Sequence, residues 1–289
     1  MSVTASPDDP PAIALSPQSF RQFAEFITRE LGIKMSENKI PMLQSRLQRR
    51  IRALGLHSIE EYKRHLFESP QADAELADFI DAVTTNKTDF FREPHHFDFL
   101  RRKALPALDP DPSRPWQAKL WCAGCSTGEE PYTLTMVLSE HAAARPGFEF
   151  SLLATDISTR VLHAAREAIY DEERIAPVHD DLRRKYLLRS RRPDRNVVRI
   201  VPALRQRVRF HRLNFMDADY RVADRFDAIF FRNVMIYFDK RTQEAVINKL
   251  CRNLRPGGFL FIGHSESLMG LEVPVRMVGS AIYQKAPAA

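Results

Sequence analysis

The chain has 289 residues, of which 44% are hydrophobic and 28% are charged, a composition typical of a folded globular protein. This length suffices for one large domain and a smaller one. No apolar run approaches the roughly 18 residues that a membrane span needs, and the N-terminus lacks a signal-peptide pattern. Three cysteines build no disulfide framework. We therefore expect a cytoplasmic protein that does not insert into a membrane.

The net charge of +6 is unevenly distributed along the chain. Residues 183–212 contain twelve Lys or Arg and one acid, Asp194, so this segment carries 12 − 1 = +11 and the remainder carries 6 − 11 = −5. The basic character therefore belongs to one segment, and this predicts an acidic partner surface.

The first third of the chain predicts a leader followed by a small all-α domain. Residues 1–15, rich in proline and aspartate, are expected to be disordered, and residues 16–85 to form four helices. Ser16 and Pro17 are typical of a helix start, with the serine as N-cap. A second helix is predicted over residues 40–54 and ends at Gly55.

The rest of the chain predicts a linker and an α/β domain. Residues 86–117 are expected to form an interdomain linker with a helix to about residue 105, and residues 118–289 the second domain. Predicted strands at 118–123, 149–155, 207–213, 226–231 and 258–262 alternate with helices at 130–143, 158–168 and 240–254. This alternation favours a doubly wound, mainly parallel sheet with helices on both faces.

The first strand–turn–helix unit of this domain is the most informative stretch. Gly124 and Gly128 bracket a tight turn, and Glu129 and Glu130 open the helix. Glycine lets the backbone approach a ligand closely. Two carboxylates at a helix N-terminus repel a pyrophosphate and suit a cationic cofactor, such as S-adenosylmethionine with its ammonium and sulfonium groups. The same stretch contains a C-x-x-C pair, but no second pair completes a ligand set, so no metal is expected.

Polar residues follow three later strands. Asp156 ends the second strand, where doubly wound folds hold ribose hydroxyls, although the same position suits an N-cap of the next helix. Asn214 and Asn233 each follow a strand, and their amides suit an adenine edge or an amino-acid group. Each asparagine alone is typical of a turn. Together with the glycine turn, the three residues predict one crevice.

Four motifs resemble the CheR family, the methyltransferases that esterify glutamates of bacterial chemoreceptors. The motifs occur in family order: Thr84-Thr-Asn-Lys-Thr-Asp-Phe-Phe-Arg-Glu-Pro-His-His-Phe97, Ser126-Thr-Gly-Glu-Glu-Pro-Tyr132, Phe231-Arg-Asn-Val-Met-Ile-Tyr-Phe-Asp239 and Gly263-His-Ser-Glu266. The resemblance covers residues 16–285. It implies a class I, Rossmann-like methyltransferase fold behind an N-terminal all-α domain, with a small antiparallel β insert at about residues 183–206. The implied methyl donor is S-adenosylmethionine and the product is S-adenosylhomocysteine.

The resemblance also implies the roles of individual residues. One of the two adjacent glutamates would meet the methionine ammonium of the cofactor, and Asp156 its ribose. From the chemistry of methyl transfer to a carboxylate, we expect Arg92 to steer the substrate and Tyr237 to donate a hydrogen bond beside it, although Tyr237 also suits a surface position. The remaining cofactor positions carried over are Asn86, Thr88, Arg92, Gly124, Asn214, Phe215, Asn233 and Val234.

The implied partner is the cytoplasmic helical bundle of a chemoreceptor. Arg46, Arg49 and Arg50 are expected to form a ridge on the second helix that suits an acidic helix, or else a solvated face. In some family members the β insert binds a peptide at the receptor's tail. Here the turn at residues 189–196 contains no glycine, which leaves tail docking open. We expect a monomer that binds no nucleic acid.

Two other functions remain as alternatives. The arginine-rich segment is compatible with a nucleic-acid methyltransferase. However, the strand end at residues 232–238 lacks the Asn/Asp-Pro-Pro-aromatic motif of DNA amino-methylating enzymes, and no cysteine follows a proline as cytosine-C5 chemistry requires. The other alternative is a catalytically idle module that binds the cofactor and regulates a partner. The presence of Arg92, Asp156 and Tyr237 argues only weakly against it.

Overall fold

The computed structural model describes residues 14–70, 72–192 and 194–287. The chain divides into two compact units, one ending at Thr84 and the other beginning at Thr85. Of the predicted leader, residues 1–13 lie outside the described residues. Leu15 is buried and its backbone N–H donates to Gln44 Oε1 at 3.1 Å, so the packed part of the first unit begins before the predicted boundary.

The first unit contains four α-helices, as the sequence predicts. They are α1 (Pro17–Leu31), α2 (Ile40–Ala53), α3 (Ile59–Glu68) and α4 (Ala72–Val83). Ser16 Oγ accepts from the backbone N–H of Ser19 at 3.1 Å, which confirms the predicted N-cap. The helices enclose an aromatic core in which Phe23 stacks on Tyr62 and Phe79, with ring centroids 6.3 and 5.9 Å apart. Burial of such rings is the main stabilising contribution to a unit of this size.

The second unit begins with an irregular segment and a broken helix. After turns at residues 90–94, α5 (His95–Phe99) continues through one π-helical stretch (Leu100–Ala104) into α6 (Leu105–Leu108). Further helices are α7 (Glu129–Ala144), α8 (Thr159–Glu167), α9 (Asp180–Tyr186), α10 (Pro202–Arg205) and α11 (Lys240–Asn253). The strands are β1 (Trp116–Ala123), β2 (Phe148–Asp156), β3 (Ile169–Asp171), β4 (Leu187–Arg189), β5 (Val197–Ile200), β6 (Val208–Arg212), β7 (Phe226–Phe231), β8 (Leu254–Ile262), β9 (Val275–Gly279) and β10 (Ile282–Lys285).

Seven of these strands form one sheet in the order β6-β2-β1-β7-β8-β10-β9. The first five strands pair in parallel, and β10 is antiparallel to both of its neighbours. Every residue of β7 is buried, which explains its unbroken apolar run. The strand order reverses at β1. In a sheet of this kind the ligand crevice lies outside the carboxyl ends of the strands at that reversal, here β1 and β7.

The predicted antiparallel insert is present, but it begins earlier than expected. A three-stranded sheet has the order β3-β5-β4, and its first strand precedes the predicted start at residue 183. The three residues of β3 are too few to show an alternating pattern. The sequence analysis did not predict β9 and β10; β9 has no buried residue, and only the first two residues of β10 are buried. Among the helices of the described ranges, none is long and apolar enough to cross a bilayer.

Candidate functional site

The glycine turn at residues 124–128 lies between β1 and α7, at the predicted crevice. The backbone N–H groups of Gly124 and Cys125 both donate to Thr155 O, at 2.8 and 2.9 Å, so the end of β2 holds the turn. Gly124 has a φ of +89°, and a Cβ there would lie 2.6 Å from Cγ2 of Val234. Only glycine therefore lets the turn pass so close to the segment that follows β7.

Asp156, the last residue of β2, stabilises this turn through a hydrogen bond. Its side chain is 8% exposed, Oδ2 accepts from the backbone N–H of Ser126 at 2.9 Å, and Oδ1 accepts from that of Ser158 at 3.1 Å. The N-cap of α8 is Ser158, whose Oγ accepts from Val161 N. The alternative interpretation of Asp156 as that N-cap is therefore wrong, because the capping position is two residues further on.

The two adjacent glutamates at the start of α7 have different partners. Glu129 is 1% exposed, and its carboxylate accepts from Thr127 Oγ1 at 2.6 Å and pairs with Arg174. Burial raises the pKa of Glu129, and the hydrogen bond from Thr127 and the charge of Arg174 oppose this rise. Glu130 accepts from Arg232 Nη1 at 2.8 Å and from Cys122 Sγ at 3.1 Å. Both carboxylates therefore lie next to cationic groups at the helix N-terminus.

The segment at residues 86–92 is held by three side chains around the crevice, of which one, Ser126, belongs to the glycine turn. Ser126 Oγ donates to Asn86 O at 2.9 Å, and Arg174 Nη2 donates to Thr88 O at 3.1 Å. Arg232 Nη2 donates to Arg92 O at 2.5 Å. The structure thus brings the three residues carried over by the resemblance to the mouth of the crevice. The guanidinium of Arg92 itself is half-buried and donates to Lys87 O at 3.1 Å.

The predicted adenine-side residues after β6 also lie at this edge of the sheet. The backbone N–H of Leu213 donates to Asp156 O at 2.9 Å, which places Asn214 beside Asp156. Asn214 Oδ1 accepts from Met216 N at 2.9 Å, so this asparagine also stabilises its own turn. The Phe215 ring is buried against Phe231, with centroids 4.9 Å apart.

Asn233 and Val234 follow β7 and complete the arrangement. Asn233 has a φ of +58°, and its backbone N–H donates to Glu266 Oε2 at 2.9 Å. A Cβ on Gly263 would lie 2.9 Å from that backbone nitrogen, so a glycine is needed at this contact. Tyr237 is half-buried and ends the 3-10 turn Met235–Tyr237, with its backbone N–H 3.3 Å from Val234 O.

The arrangement also depends on residues to which the sequence assigned no role. Arg232 and Glu266 lie inside two of the motifs. An arginine directly after six buried strand residues is unusual in a sequence and could have indicated a functional role for Arg232. Glu93 pairs with Arg232 at 3.1 Å, and the charge of Arg232 keeps the pKa of Glu93 below its ordinary value although burial alone would raise it. Arg174 could not be identified as a site residue from the sequence, because it lies in a short 3-10 turn beside the small sheet.

The three arginines predicted to contact a partner do not form one solvent-facing ridge. Arg46 donates to the backbone oxygens of Val83 and Thr84. Arg50 is 20% exposed and forms a two-pronged contact with the buried carboxylate of Glu75, at 3.0 and 2.6 Å. Arg49 is exposed. Arg50 does not face solvent because the buried carboxylate of Glu75 on α4 requires a cationic partner.

The groups at the crevice fit S-adenosylmethionine. Paired carboxylates at a helix N-terminus suit its positive charges, and Asp156 ends the strand whose acid commonly contacts a ribose. The C-x-x-C cysteines are buried and free, and burial raises the pKa of both thiols, so they are structural.

Comparisons with known proteins agree with this assignment. Residues 18–84 match the family model of the CheR methyltransferase all-alpha domain, and residues 86–283 match that of the CheR methyltransferase SAM binding domain. Chemotaxis protein methyltransferase 2 of Pseudomonas aeruginosa is 40% identical over 271 residues, which is 93% of each chain. The chemotaxis protein methyltransferase of Escherichia coli is 38% identical over 271 residues, which is 94% of this chain and 92% of the relative.

The matches confirm the expected class I methyltransferase fold with S-adenosylmethionine as methyl donor. They cover both units and include every residue carried over by the resemblance, from Asn86 to Val234. The chain belongs to the CheR methyltransferase family.

Proposed function

We propose that this protein transfers a methyl group from S-adenosylmethionine to glutamate side chains of bacterial chemoreceptors. The observation that carries the proposal is the convergence of the glycine turn, Glu129, Asp156, the 86–92 segment and Asn233 at one edge of the sheet. The names of the relatives, chemotaxis protein methyltransferases, support the chemoreceptor as acceptor.

Glu129 is our choice for the glutamate that meets the cofactor's ammonium group. Glu130 is held by the buried guanidinium of Arg232, which has no route to solvent. The partner of Glu129, in contrast, is Arg174, whose side chain is 43% exposed and can move away. Arg174 also donates to the backbone of Thr88, one of the predicted cofactor residues. Arg174 therefore lies where a cationic ligand group would replace it.

The chemistry requires little more than positioning. When bound, S-adenosylmethionine would supply an electrophilic methyl carbon, and attack by a carboxylate oxygen would break its C–S bond and release S-adenosylhomocysteine as a neutral thioether. A glutamate carboxylate has a pKa of about 4.3 and is ionised at neutral pH, so no general base is needed. Arg92 steers the substrate carboxylate and removes part of its hydration, and the Tyr237 hydroxyl donates a hydrogen bond beside it. The backbone oxygen of Arg92 accepts from Arg232 at the crevice. The backbone N–H of Tyr237 donates to Val234 O.

The charge distribution favours a protein partner over a nucleic acid. Many basic side chains of the 183–212 segment already pair with acids, which lowers the positive field that a phosphate backbone would need. The ion pairs are Arg183 with Asp180, Arg184 with Asp181, Lys185 with Glu140, Arg189 with Glu172, Arg207 with Glu149, and Arg209 with Asp224.

A transfer assay with three acceptors tests the proposal. Radiolabelled S-adenosylmethionine is incubated with the full chain and either receptor cytoplasmic fragments, RNA or buffer. We expect label on the receptor alone, and we expect alkali to release it because a carboxyl ester hydrolyses in base. Label on RNA would favour the nucleic-acid alternative. No transfer to any acceptor, with cofactor binding intact, would favour the idle regulator.

A further inference from the structure

Three histidines meet beside the cofactor segment, and methyl transfer uses none of them. His95 and His96 begin α5, whereas His264 follows β8 and lies 169 positions after His95. One ligand nitrogen of each lies within 4.8 Å of the others. His264 Nε2 is 2.7 Å from Nε2 and 3.0 Å from Nδ1 of His95. The sequence predicted no metal site, because only the fold brings His264 to this pair.

His96 indicates that the cluster takes a ligand. Its side chain is 0% exposed, yet neither ring nitrogen has a hydrogen-bond partner among the described residues. A buried polar group without a partner is destabilising, and a bound ion would supply the missing partner. Neutral imidazole is the form that binds metal ions.

A histidine that binds a metal usually donates its other ring N–H to a carboxylate, and Glu93 is placed for this role. Its Oε2 lies 3.4 Å from Nδ1 of His96, and its Oε1 accepts from the backbone N–H of His264 at 3.3 Å. In metal sites such a carboxylate holds one ring nitrogen and leaves the other for the ion. With an ion bound, Nδ1 of His96 would donate to Glu93 and leave Nε2 for the ion.

We propose that His95, His96 and His264 bind one first-row transition-metal ion, with Zn²⁺ as the preferred ion and a water as fourth ligand. Imidazole is a common ligand of zinc, with Zn–N distances of about 2.0–2.1 Å, which sets the ligand nitrogens about 3.3 Å apart in a tetrahedron. The nitrogens here lie between 2.7 and 4.8 Å apart. Because His264 is exposed, its ring can make the small movement required.

The ion has a clear structural consequence. Glu93 also lies 3.4 Å from Asn233 Nδ2 and pairs with Arg232. A metal held by the three histidines therefore joins the segment before α5 to the loop after β8, directly behind two residues of the cofactor crevice. The ion is therefore structural: it stabilises this crevice and takes no part in the transfer of the methyl group.

Metal titrations of the chelator-treated full chain test the proposal without any activity measurement. Zn²⁺ binding is followed by calorimetry, and Co²⁺ binding by its visible absorption, which is intense only in tetrahedral sites. We expect one ion per chain. His264→Ala and His95→Ala should each weaken Zn²⁺ binding at least about 100-fold, beyond the 10- to 100-fold effect of an outer-shell residue. Both variants should lose the tetrahedral Co²⁺ spectrum.

Two histidines elsewhere provide matched controls. His163 lies beside Glu167 and His179 beside Asp181, and both imidazoles are exposed, so each pairs a histidine with a carboxylate that can bind zinc at the surface. His163→Ala and His179→Ala should bind as the unmodified chain does. Zn²⁺ should also raise the Tm of the unmodified chain but not that of His264→Ala. Equal Zn²⁺ affinity in both, or no uptake by the unmodified chain, would overturn the proposal.

Discussion

The guanidinium of Arg232 donates to Glu130 Oε2 at 2.8 Å, across the point where the strand order reverses. Arg232 directly follows β7, and Glu130 lies in the first turn of α7, after β1. The same guanidinium donates to Arg92 O and pairs with Glu93, and its side chain is only 1% exposed. One buried side chain therefore holds the 86–93 segment against the helix that opens the cofactor crevice.

Replacement of this arginine tests that positioning role. Arg232→Lys keeps the charge but loses the planar fork that reaches three partners at once. We expect kcat/KM for methyl transfer to fall about 10- to 100-fold, since charged hydrogen bonds contribute about 1.5–3 kcal/mol. Arg232→Met should in addition lower the free energy of unfolding by about 3–5 kcal/mol, because Glu130 would lose its buried partner.

Arg212→Lys serves as the control for Arg232→Lys. Arg212 is the last residue of the parallel strand β6 and also donates to a backbone oxygen, Ile157 O at 3.1 Å, but it is exposed. This variant should keep kcat/KM within about twofold. A Lys at position 232 with unchanged kcat/KM and cofactor affinity would show that the fork has no positioning role.

The close contact between Gly124 and Val234 predicts a steric effect that a second substitution relieves. In Gly124→Ala the new Cβ would lie 2.6 Å from Val234 Cγ2. We expect the affinity for S-adenosylmethionine, measured by calorimetry, to fall at least about tenfold, or about 1.4 kcal/mol. Addition of Val234→Ala should restore part of this loss, because it removes the methyl group in contact.

Gly257→Ala is a matched control for backbone strain. Gly257 also has a positive φ, +74°, but no atom lies within 4 Å of the position of its missing Cβ. It should lose stability through strain of the left-handed backbone by about 1 kcal/mol without loss of cofactor affinity. If Gly124→Ala and Gly257→Ala had the same affinity, the contact with Val234 would have no part in cofactor binding.

The two adjacent glutamates should respond differently to removal of charge. Glu129→Gln keeps the shape but removes the charge that we assign to the cofactor's ammonium group, so the Kd for S-adenosylmethionine should rise about 10- to 100-fold. Glu130→Gln should act mainly on stability, because it leaves the buried Arg232 without its full partner. Calorimetric titration and urea unfolding of both variants measure the two effects. The reverse result would assign the ammonium group to Glu130.

Much of the second unit was predictable because its buried strands are continuous apolar runs that alternate with helices. The strand at Phe226–Phe231 was predicted with its observed bounds for this reason. The positions after each strand were predictable too, since parallel strands end at one edge of a sheet. Arg174 was not predictable, because it lies in a short 3-10 turn that only the fold brings to Glu129 at the start of α7. The pairing of Arg50 with Glu75 was not predictable either, because it forms only when α2 packs on α4.

The first unit offers a direct comparison of a structural and an exposed arginine. Arg50→Ala should lower the free energy of unfolding by about 3–5 kcal/mol, because Glu75 would remain buried without its cation. Arg49→Ala should leave stability within about 0.5 kcal/mol. If the exposed face of α2 contacts an acidic receptor helix, Arg49→Ala should weaken receptor binding, and added salt should reduce the difference. Unchanged receptor affinity in Arg49→Ala would remove Arg49 from the docking surface.

Mass spectrometry of a methylated receptor fragment tests the central claim most directly. The full chain is incubated with S-adenosylmethionine and a receptor cytoplasmic fragment, and the peptides are sequenced before and after alkali. Our account predicts the mass of one methyl group on individual glutamate side chains, its loss in alkali, and its absence when those glutamates are replaced by glutamine. Methyl groups on lysine, arginine or a chain terminus, stable in alkali, would contradict it.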